Sequence, residues 1–288
     1  MQKKNAIIMA AGTSSRFVPL SAEYPKGLLQ VKGEILIERQ IRQLKEAGIK
    51  VITVVVGYKA EMFGYLHDKF GVDIVLNEDY TRYNNTSSVV RVLDRLDNTY
   101  LCSSDNYFPD NVFLDDPIKS FYSVLYAEGP TDEYCVTTDL DDNIIGVAVG
   151  GKDSWYMIGH VYFSEDFSNA FRQVFVQEYE KEETRLGYWE DVYIRFIDYL
   201  PRMSIHRYRK GDIREFDTID ELRDFDMSYI DDTRSSIVKS IAKNLDCKES
   251  ELSDFRNIRH NGDYLLFSFN KNGVAYRFDG YENKIILQ

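Results

Sequence analysis

The sequence predicts an α/β fold: a doubly wound, mixed but mostly parallel sheet, with an antiparallel insertion and a small α+β appendage. Three observations lead there. Through the first 110 residues, short apolar runs alternate with apolar stripes at helical spacing. From about 123 to 164 the alternation gives way to strands joined by turns. From about 233 a single helical stripe precedes a hairpin pattern.

Strands are expected at 6–10, 51–56, 73–76 and 99–103. Between them, Ile37, Ile41, Leu44 and Ala47 share one helical face, and Gly48 suits the left-handed stop. Met62, Tyr65, Leu66 and Phe70 form a second face ended by Gly71, and Val89, Val92, Leu93 and Leu96 a third. Such a sheet binds ligands beyond the carboxyl ends of its strands. The loop at Gly12 and the residue Asp105 both fall there. In the insertion, short strands at 134–140 and 144–149 flank the turn Asp141-Asp142-Asn143. Phe167, Phe171, Val174 and Phe175 mark a helix, and another starts near Trp189. Short strands return at 205–208 and 215–216, followed by a helix over 219–225. Ile237, Val238, Ile241 and Leu245 stripe a last helix, and Asn272-Gly273 fits the type I′ turn of a hairpin over 264–278. Two domains are expected, 1–230 and 231–288.

A chain of 288 residues can bury a large core. Its formal net charge of -12 repels nucleic acid and anionic lipid, so neither is an expected partner. Cys102, Cys135 and Cys247 are odd in number and far apart, which fits reduced thiols in a cytoplasmic protein. His67, His160, His206 and His260 are isolated, with no zinc spacing. The apolar start is too short for a secretion signal, and no run approaches the ~18 apolar residues of a membrane span.

The stretch Ile7-Ile8-Met9-Ala10-Ala11-Gly12-Thr13-Ser14-Ser15-Arg16 empties a buried strand into a loop of small residues, and Pro25-Lys26-Gly27-Leu28 follows. Small residues let backbone N–H groups close on phosphate oxygens. Arg16 and Lys26 add fixed cations for charge that grows on a reacting phosphate. The loop is neither a P-loop nor a dinucleotide fingerprint, lacking both Gly-Lys-Ser/Thr and G-x-G-x-x-G. Asp105, in Cys102-Ser103-Ser104-Asp105-Asn106, reads either as a turn residue or as a magnesium carboxylate. Asp217 reads either as a helix N-cap or as a second such carboxylate. Mg²⁺ takes one or two carboxylates together with phosphate oxygens and water.

The pattern A-A-G-x-x-S-R, then P-K-x-L, resembles the nucleotidyltransferases that join an NTP to a phosphorylated small molecule. Their loop is G-x-G-x-R; here Ser14 stands at the second Gly and Arg16 lies one residue further on. Asn77-x-x-Tyr80-x-x-Tyr83-Asn84-Asn85, Ser103-x-Asp105-Asn106-Tyr107, Tyr188-Trp189-Glu190-Asp191 and Phe216-Asp217 follow in order. Over about residues 5–228 they resemble the bacterial CTP:phosphocholine cytidylyltransferases. The family's acidic residue two before the metal Asp is Ser103 here, so no third carboxylate is assigned.

The resemblance implies a Rossmann-like nucleotidyltransferase sheet, CTP and phosphocholine as partners, Mg²⁺ as cofactor, and CDP-choline with pyrophosphate as products. Ala10, Ala11, Gly12 and Thr13 would line the nucleotide through backbone groups. Arg16 and Lys26 would hold the triphosphate, and Asp105 and Asp217 the metal. Asn84, Asn85, Ser87 and Ser88 would help read base or ribose, although Asn84 and Asn85 read equally as caps of a helix starting at Thr86. Tyr134, Tyr188, Trp189, Glu190 and Asp191 would surround the choline, a quaternary ammonium recognised by aromatic faces and nearby acid. The other reading puts Trp189 in the core and lets Glu190 and Asp191 favour a helix N-terminus. Phosphoethanolamine, 2-aminoethylphosphonate or a sugar 1-phosphate are alternative acceptors. A non-catalytic nucleotide-binding regulator is the alternative of another class. The tail weakly resembles the opening hairpin of choline and ethanolamine kinases. No H-x-D motif follows, so a kinase remnant or a packing module is expected there rather than a second activity.

Overall fold

The computed structural model describes residues 3–113, 116–261 and 264–288; the side chain of His260 lies outside the described residues. The chain forms two compact units. One joins Met1–Gly12 to Ile37–Arg214, the other Thr13–Leu36 to Glu215–Gln288. The expected appendage, 231–288, thus falls in the second unit together with 13–36 and 215–230. In chain order the strands are β1 (Lys4–Ala10), β2 (Gln30–Val31), β3 (Glu34–Ile35), β4 (Val51–Val56), β5 (Asp73–Leu76), β6 (Asn98–Ser103), β7 (Phe121–Thr138), β8 (Ile144–Phe163), β9 (Ser204–Arg207), β10 (Leu252–Asn261), β11 (Tyr264–Lys271), β12 (Val274–Asp279) and β13 (Lys284–Leu287).

The first unit holds a seven-stranded sheet in the order β5-β4-β1-β6-β8-β7-β9. β5, β4, β1 and β6 run parallel, β8 is antiparallel to β6 and β7, and β9 is parallel to β7. This is the mixed α/β sheet expected. The helix Leu36–Glu46 and the helix Tyr65–Phe70 end at Gly48 and Gly71, which take positive φ of 83° and 63° as helix stops do. The third stripe is shorter than expected: Thr86–Val90 is α-helical and Leu93–Arg95 only 3₁₀. Val89, Val90 and Val92 lose χ1 freedom in a helix, and the Ser87 hydroxyl donates back to the carbonyl of Asn84.

The insertion differs from the short strands expected. β7 and β8 are single long strands of 18 and 20 residues. Register shifts interrupt their pairing, among them Tyr122/Val124 and Ala127/Pro130. Each bulge turns the following side chains to the other face, so one long strand reads in sequence as several short ones. The turn between them falls where expected, with the Asp139 carboxylate accepting from the N–H groups of Asp141 and Asn143. Residues 215–216 form no strand, although Arg214 just before them bridges to Tyr107. Phe167, Phe171 and Phe175 repeat every fourth residue along the helix Glu165–Glu178 and bury one face against Phe163 and Trp189.

The second unit holds the β2–β3 hairpin and an antiparallel sheet ordered β10-β11-β12-β13. Val238, Ile241 and Ala242 of the helix Ser236–Asn244 are buried, as are Phe255, Phe267, Phe269 and Phe278 of the sheet. Asn272 and Gly273 both take positive φ, as a type I′ turn requires. The buried Arg223 donates to the carbonyls of Tyr229, Glu249 and Leu252. Tyr229 donates to the carbonyl of Gln30, and the backbone N–H of Ser236 donates to Glu23, so the tail is stitched to 13–36. Cys102, Cys135 and Cys247 are free thiols. No helix among the described residues is long and apolar enough to cross a membrane.

Candidate active site

β1 carries Ala10, Ala11 and Gly12 to its carboxyl end. Ala10 pairs with Val56, and the carbonyl of Ala11 accepts from the N–H of Tyr58 at 3.1 Å. Gly57, next to Tyr58, packs too tightly for a side chain: a Cβ there would lie 2.8 Å from Tyr80 and 2.9 Å from the Ala11 carbonyl oxygen. Tyr80, of the Asn77-x-x-Tyr80 motif, therefore packs directly on Gly57. Gly12 is different. It is exposed, and a Cβ there would meet no protein atom within 4 Å. The protein's own packing does not require this glycine.

In the second unit the loop continues from Thr13, which is half-buried. Ser14 adopts the left-handed conformation, φ 49° and ψ 45°. That is the backbone state glycine supplies at no steric cost, so the serine takes the shape of the residue it replaces. Arg16 and Lys26 both reach Asp217. Arg16 Nη1 lies 2.9 Å from its Oδ2 and Lys26 Nζ 3.2 Å from its Oδ1, with Glu215 at 3.7 Å from Lys26. The Lys26 side chain is only 5% exposed, so its charge depends on these carboxylates. The N-cap of the helix Ile219–Phe225 is Thr218, whose hydroxyl accepts from the Glu221 N–H. Asp217 is therefore not the cap.

Asp105 sits half-buried in the turn after β6, in the first unit. The turn is anchored on both sides: Ser104 donates to the carbonyl of Met9, and Tyr107 exchanges two backbone hydrogen bonds with Arg214. The turn reading of Asp105 thus holds, and it leaves the carboxylate at a strand end as the other reading requires.

The four residues expected at base or ribose make the following hydrogen bonds within the protein. Ser87 and Ser88 are buried and both hydroxyls accept from the Asn77 amide, at 2.9 and 3.0 Å. They fix Asn77 in place. The Asn84 side chain accepts from the N–H of Asn85. The Asn85 side chain does not cap its own helix. It crosses to the helix Trp189–Arg195, accepting from the Trp189 N–H at 2.8 Å and donating to Glu190 at 3.1 Å.

That helix start gathers the second group. Tyr134 donates to Asp191 Oδ1 at 3.0 Å, and the N–H of Tyr188 donates to Asp191 Oδ2 at 2.8 Å. Tyr122, absent from the sequence reading, donates to Glu190 Oε1 at 3.2 Å. Burial pushes the Glu190 carboxyl up to about 7, the Asn85 and Tyr122 hydrogen bonds oppose that rise, and the Asp191 charge adds to it. Burial, with Asp191 as acceptor, also raises the Tyr134 hydroxyl well above its ordinary range. Trp189 corrects the expectation of an open aromatic face. It is 2% exposed, stacked on Tyr122 at 5.9 Å and 9° and edge-on to Phe163, as a core residue. Tyr188 is exposed.

Residues 6–132 match the MobA-like NTP transferase domain family. The chain is 34% identical over 233 residues to a 2-aminoethylphosphonate cytidylyltransferase of Lancefieldella rimae, covering 80% of this chain and 94% of the relative. It is 33% identical to a choline-phosphate cytidylyltransferase of Streptococcus pneumoniae, over 76% of this chain and 95% of the relative. A solved structure of the CTP:phosphocholine cytidylyltransferase from Streptococcus pneumoniae superposes with a TM-score of 0.74 at 32% identity, covering 77% of this chain and 97% of that one. With its sheet order, its phosphate-type loop and these relatives in agreement, the chain belongs to the family of small-molecule cytidylyltransferases that includes the choline-phosphate enzymes, and it is a nucleotidyltransferase.

Proposed function

We propose that this protein transfers CMP from CTP to phosphocholine, releasing pyrophosphate. The observation that carries the reading is the cluster of Arg16, Lys26 and Asp217, a nearly buried ammonium and a guanidinium on one carboxylate, in the segment that follows a β1 loop of small residues in the chain. Arg16 and Lys26 hold the triphosphate, and the backbone of Ala10 to Thr13 lines the nucleotide. An oxygen of the phosphocholine phosphate, already anionic, attacks the α-phosphorus of CTP in line. The bond from the α-phosphorus to the bridging oxygen breaks, and pyrophosphate leaves with the electron pair. No general base is needed, so the residues act by positioning and charge.

The donor chemistry fits Mg²⁺. Asp105 and Asp217 offer hard oxygen ligands, and among the described residues no three His, Cys, Asp or Glu gather as a closed metal cage. Mg²⁺ takes one or two such carboxylates together with water and phosphate oxygens. Asp105 and Asp217 would hold it, and when bound it neutralises charge on the phosphates. The free thiols and the acidic surface support a cytoplasmic setting.

Glu190, Asp191 and Tyr134 supply the ammonium end of the acceptor site. One observation favours a second reading, 2-aminoethylphosphonate as acceptor. With Trp189 withdrawn into the core, fewer aromatic faces remain for a quaternary ammonium, and a relative of equal similarity bears that name. Pyrophosphate release with Mg²⁺ and CTP, measured across phosphocholine, phosphoethanolamine, 2-aminoethylphosphonate and glucose 1-phosphate, decides between them. Preference for phosphocholine supports the reading. Preference for a primary amine selects the second reading. CTP binding without release from any of the four overturns both.

A further inference from the structure

The two carboxylates at the start of the helix Trp189–Arg195 share a property that no neighbouring sequence suggests: each of their four oxygens already accepts a hydrogen bond from the protein. Glu190 Oε1 takes the Tyr122 hydroxyl and Oε2 the Asn85 amide; Asp191 Oδ1 takes the Tyr134 hydroxyl and Oδ2 the Tyr188 N–H. The donors come from four different places, namely β7 near each end of its length, the segment before the helix Thr86–Val90, and the helix's own N-cap.

A primary ammonium carries three N–H donors and binds best where several acceptor lone pairs converge on it. A quaternary ammonium carries none. It needs negative charge and contact surface but no lone pair. When ionised, carboxylates already engaged by protein donors offer a ligand their charge but fewer lone pairs.

Resting on the proposed CMP-transfer reading, we propose that Tyr122 and Asn85 are positioning residues that set acceptor specificity. By occupying both oxygens of Glu190, they tune this site toward a methylated ammonium and against a primary one. Tyr122 is well suited to this. Its ring lies flat on Trp189 at 5.9 Å and 9°, so the hydroxyl is aimed by a rigid stack and not by a free side chain. Asn85 is fixed at both ends, since its carbonyl accepts from the Trp189 N–H while its amide donates to Glu190. Neither side chain has to touch the acceptor.

The test uses the full chain with Mg²⁺ and CTP and reads kcat/KM for phosphocholine and for 2-aminoethylphosphonate. Tyr122→Phe removes one hydroxyl and keeps the stacked ring. The ratio of the 2-aminoethylphosphonate value to the phosphocholine value is expected to rise roughly tenfold, the size of one hydrogen bond to a charged group. The change should lie in acceptor KM, with the KM for CTP unmoved. Asn85→Ser should shift the ratio in the same direction, which keeps the proposal testable if one variant folds poorly. A ratio within twofold of the parent in both variants overturns it, whichever acceptor the parent prefers. A parent that uses neither acceptor overturns the CMP-transfer reading and this inference with it. A parent active with both acceptors and an unmoved ratio leaves that reading standing and removes only the role of Tyr122 and Asn85.

Discussion

Lys26 and Arg16 close on opposite oxygens of one carboxylate, Asp217, and this fixes what each should do when removed. Lys26 is the buried member. Its loss deletes a fixed cation at the phosphates, and removing one well-placed donor at such a site costs on the order of 10²–10³ in rate. Lys26→Ala should therefore lower kcat/KM for pyrophosphate release by at least that range, and near-parental turnover would remove it from the mechanism. Ser14 makes a backbone prediction. A left-handed residue with a side chain costs about 1–2 kcal/mol, and a β-branched one costs more. Ser14→Gly should keep parental CTP KM, whereas Ser14→Val should raise it, as steady-state titration with CTP would show. Glu190 makes a pH prediction. Its carboxyl sits at about 7 because burial disfavours the anion. Below that pH it is protonated and neutral; above it the carboxylate can attract an ammonium. Acceptor KM should thus fall as pH rises through about 7, and Glu190→Gln should flatten that profile.

Among the elements, β4 and the loop after β1 depend on one close approach. Gly57 has ordinary φ, so it is required by space and not by conformation. A methyl at Gly57 would press on Tyr80 and on the Ala11 carbonyl, a backbone atom that cannot swing away. Overpacking of this kind costs typically ~1–3 kcal/mol. Gly57→Ala should lower the thermal midpoint and raise the CTP KM together. A change in midpoint alone would mean that Tyr80 moves and the loop does not. The elements also show what sequence can read. Strand ends at Val56, Leu76 and Ser103, the helix stops at Gly48 and Gly71, and the turn at Asn272-Gly273 rest on local chemistry, and they fall where expected. β7 and β8 read in sequence as several short strands because their bulges break the period of two.

Across the whole molecule, the tail is built into the unit that carries Lys26 and Asp217. Arg223, 9% exposed, spends its guanidinium on the carbonyls of Tyr229, Glu249 and Leu252. Deleting 231–288 would strip two of these acceptors and leave the guanidinium only the Tyr229 carbonyl and Asp220 at 3.2 Å. The truncated protein should melt at a distinctly lower temperature and lose pyrophosphate release. A truncated protein with parental midpoint and turnover would show that 1–230 stands alone.

The sequence by itself determined the alternating α/β order and the loop after the first strand, and it singled out Arg16, Lys26 and Asp217 by residue type; that both cations reach this one carboxylate came from the structure. The sequence readings rest on periodicity and on residue types whose chemistry is the same in any surroundings. Only the tertiary structure decided that Trp189 belongs to the core, that Ser87 and Ser88 serve Asn77, and that Tyr122 and Asn85 hold Glu190. Tyr122 is 68 residues from Glu190 in the chain, and Asn85 is 105. Periodicity tells which side chains share a face, but which faces meet depends on strand register and bulges. Those are set by the packing of distant segments and leave no trace in any local stretch of sequence.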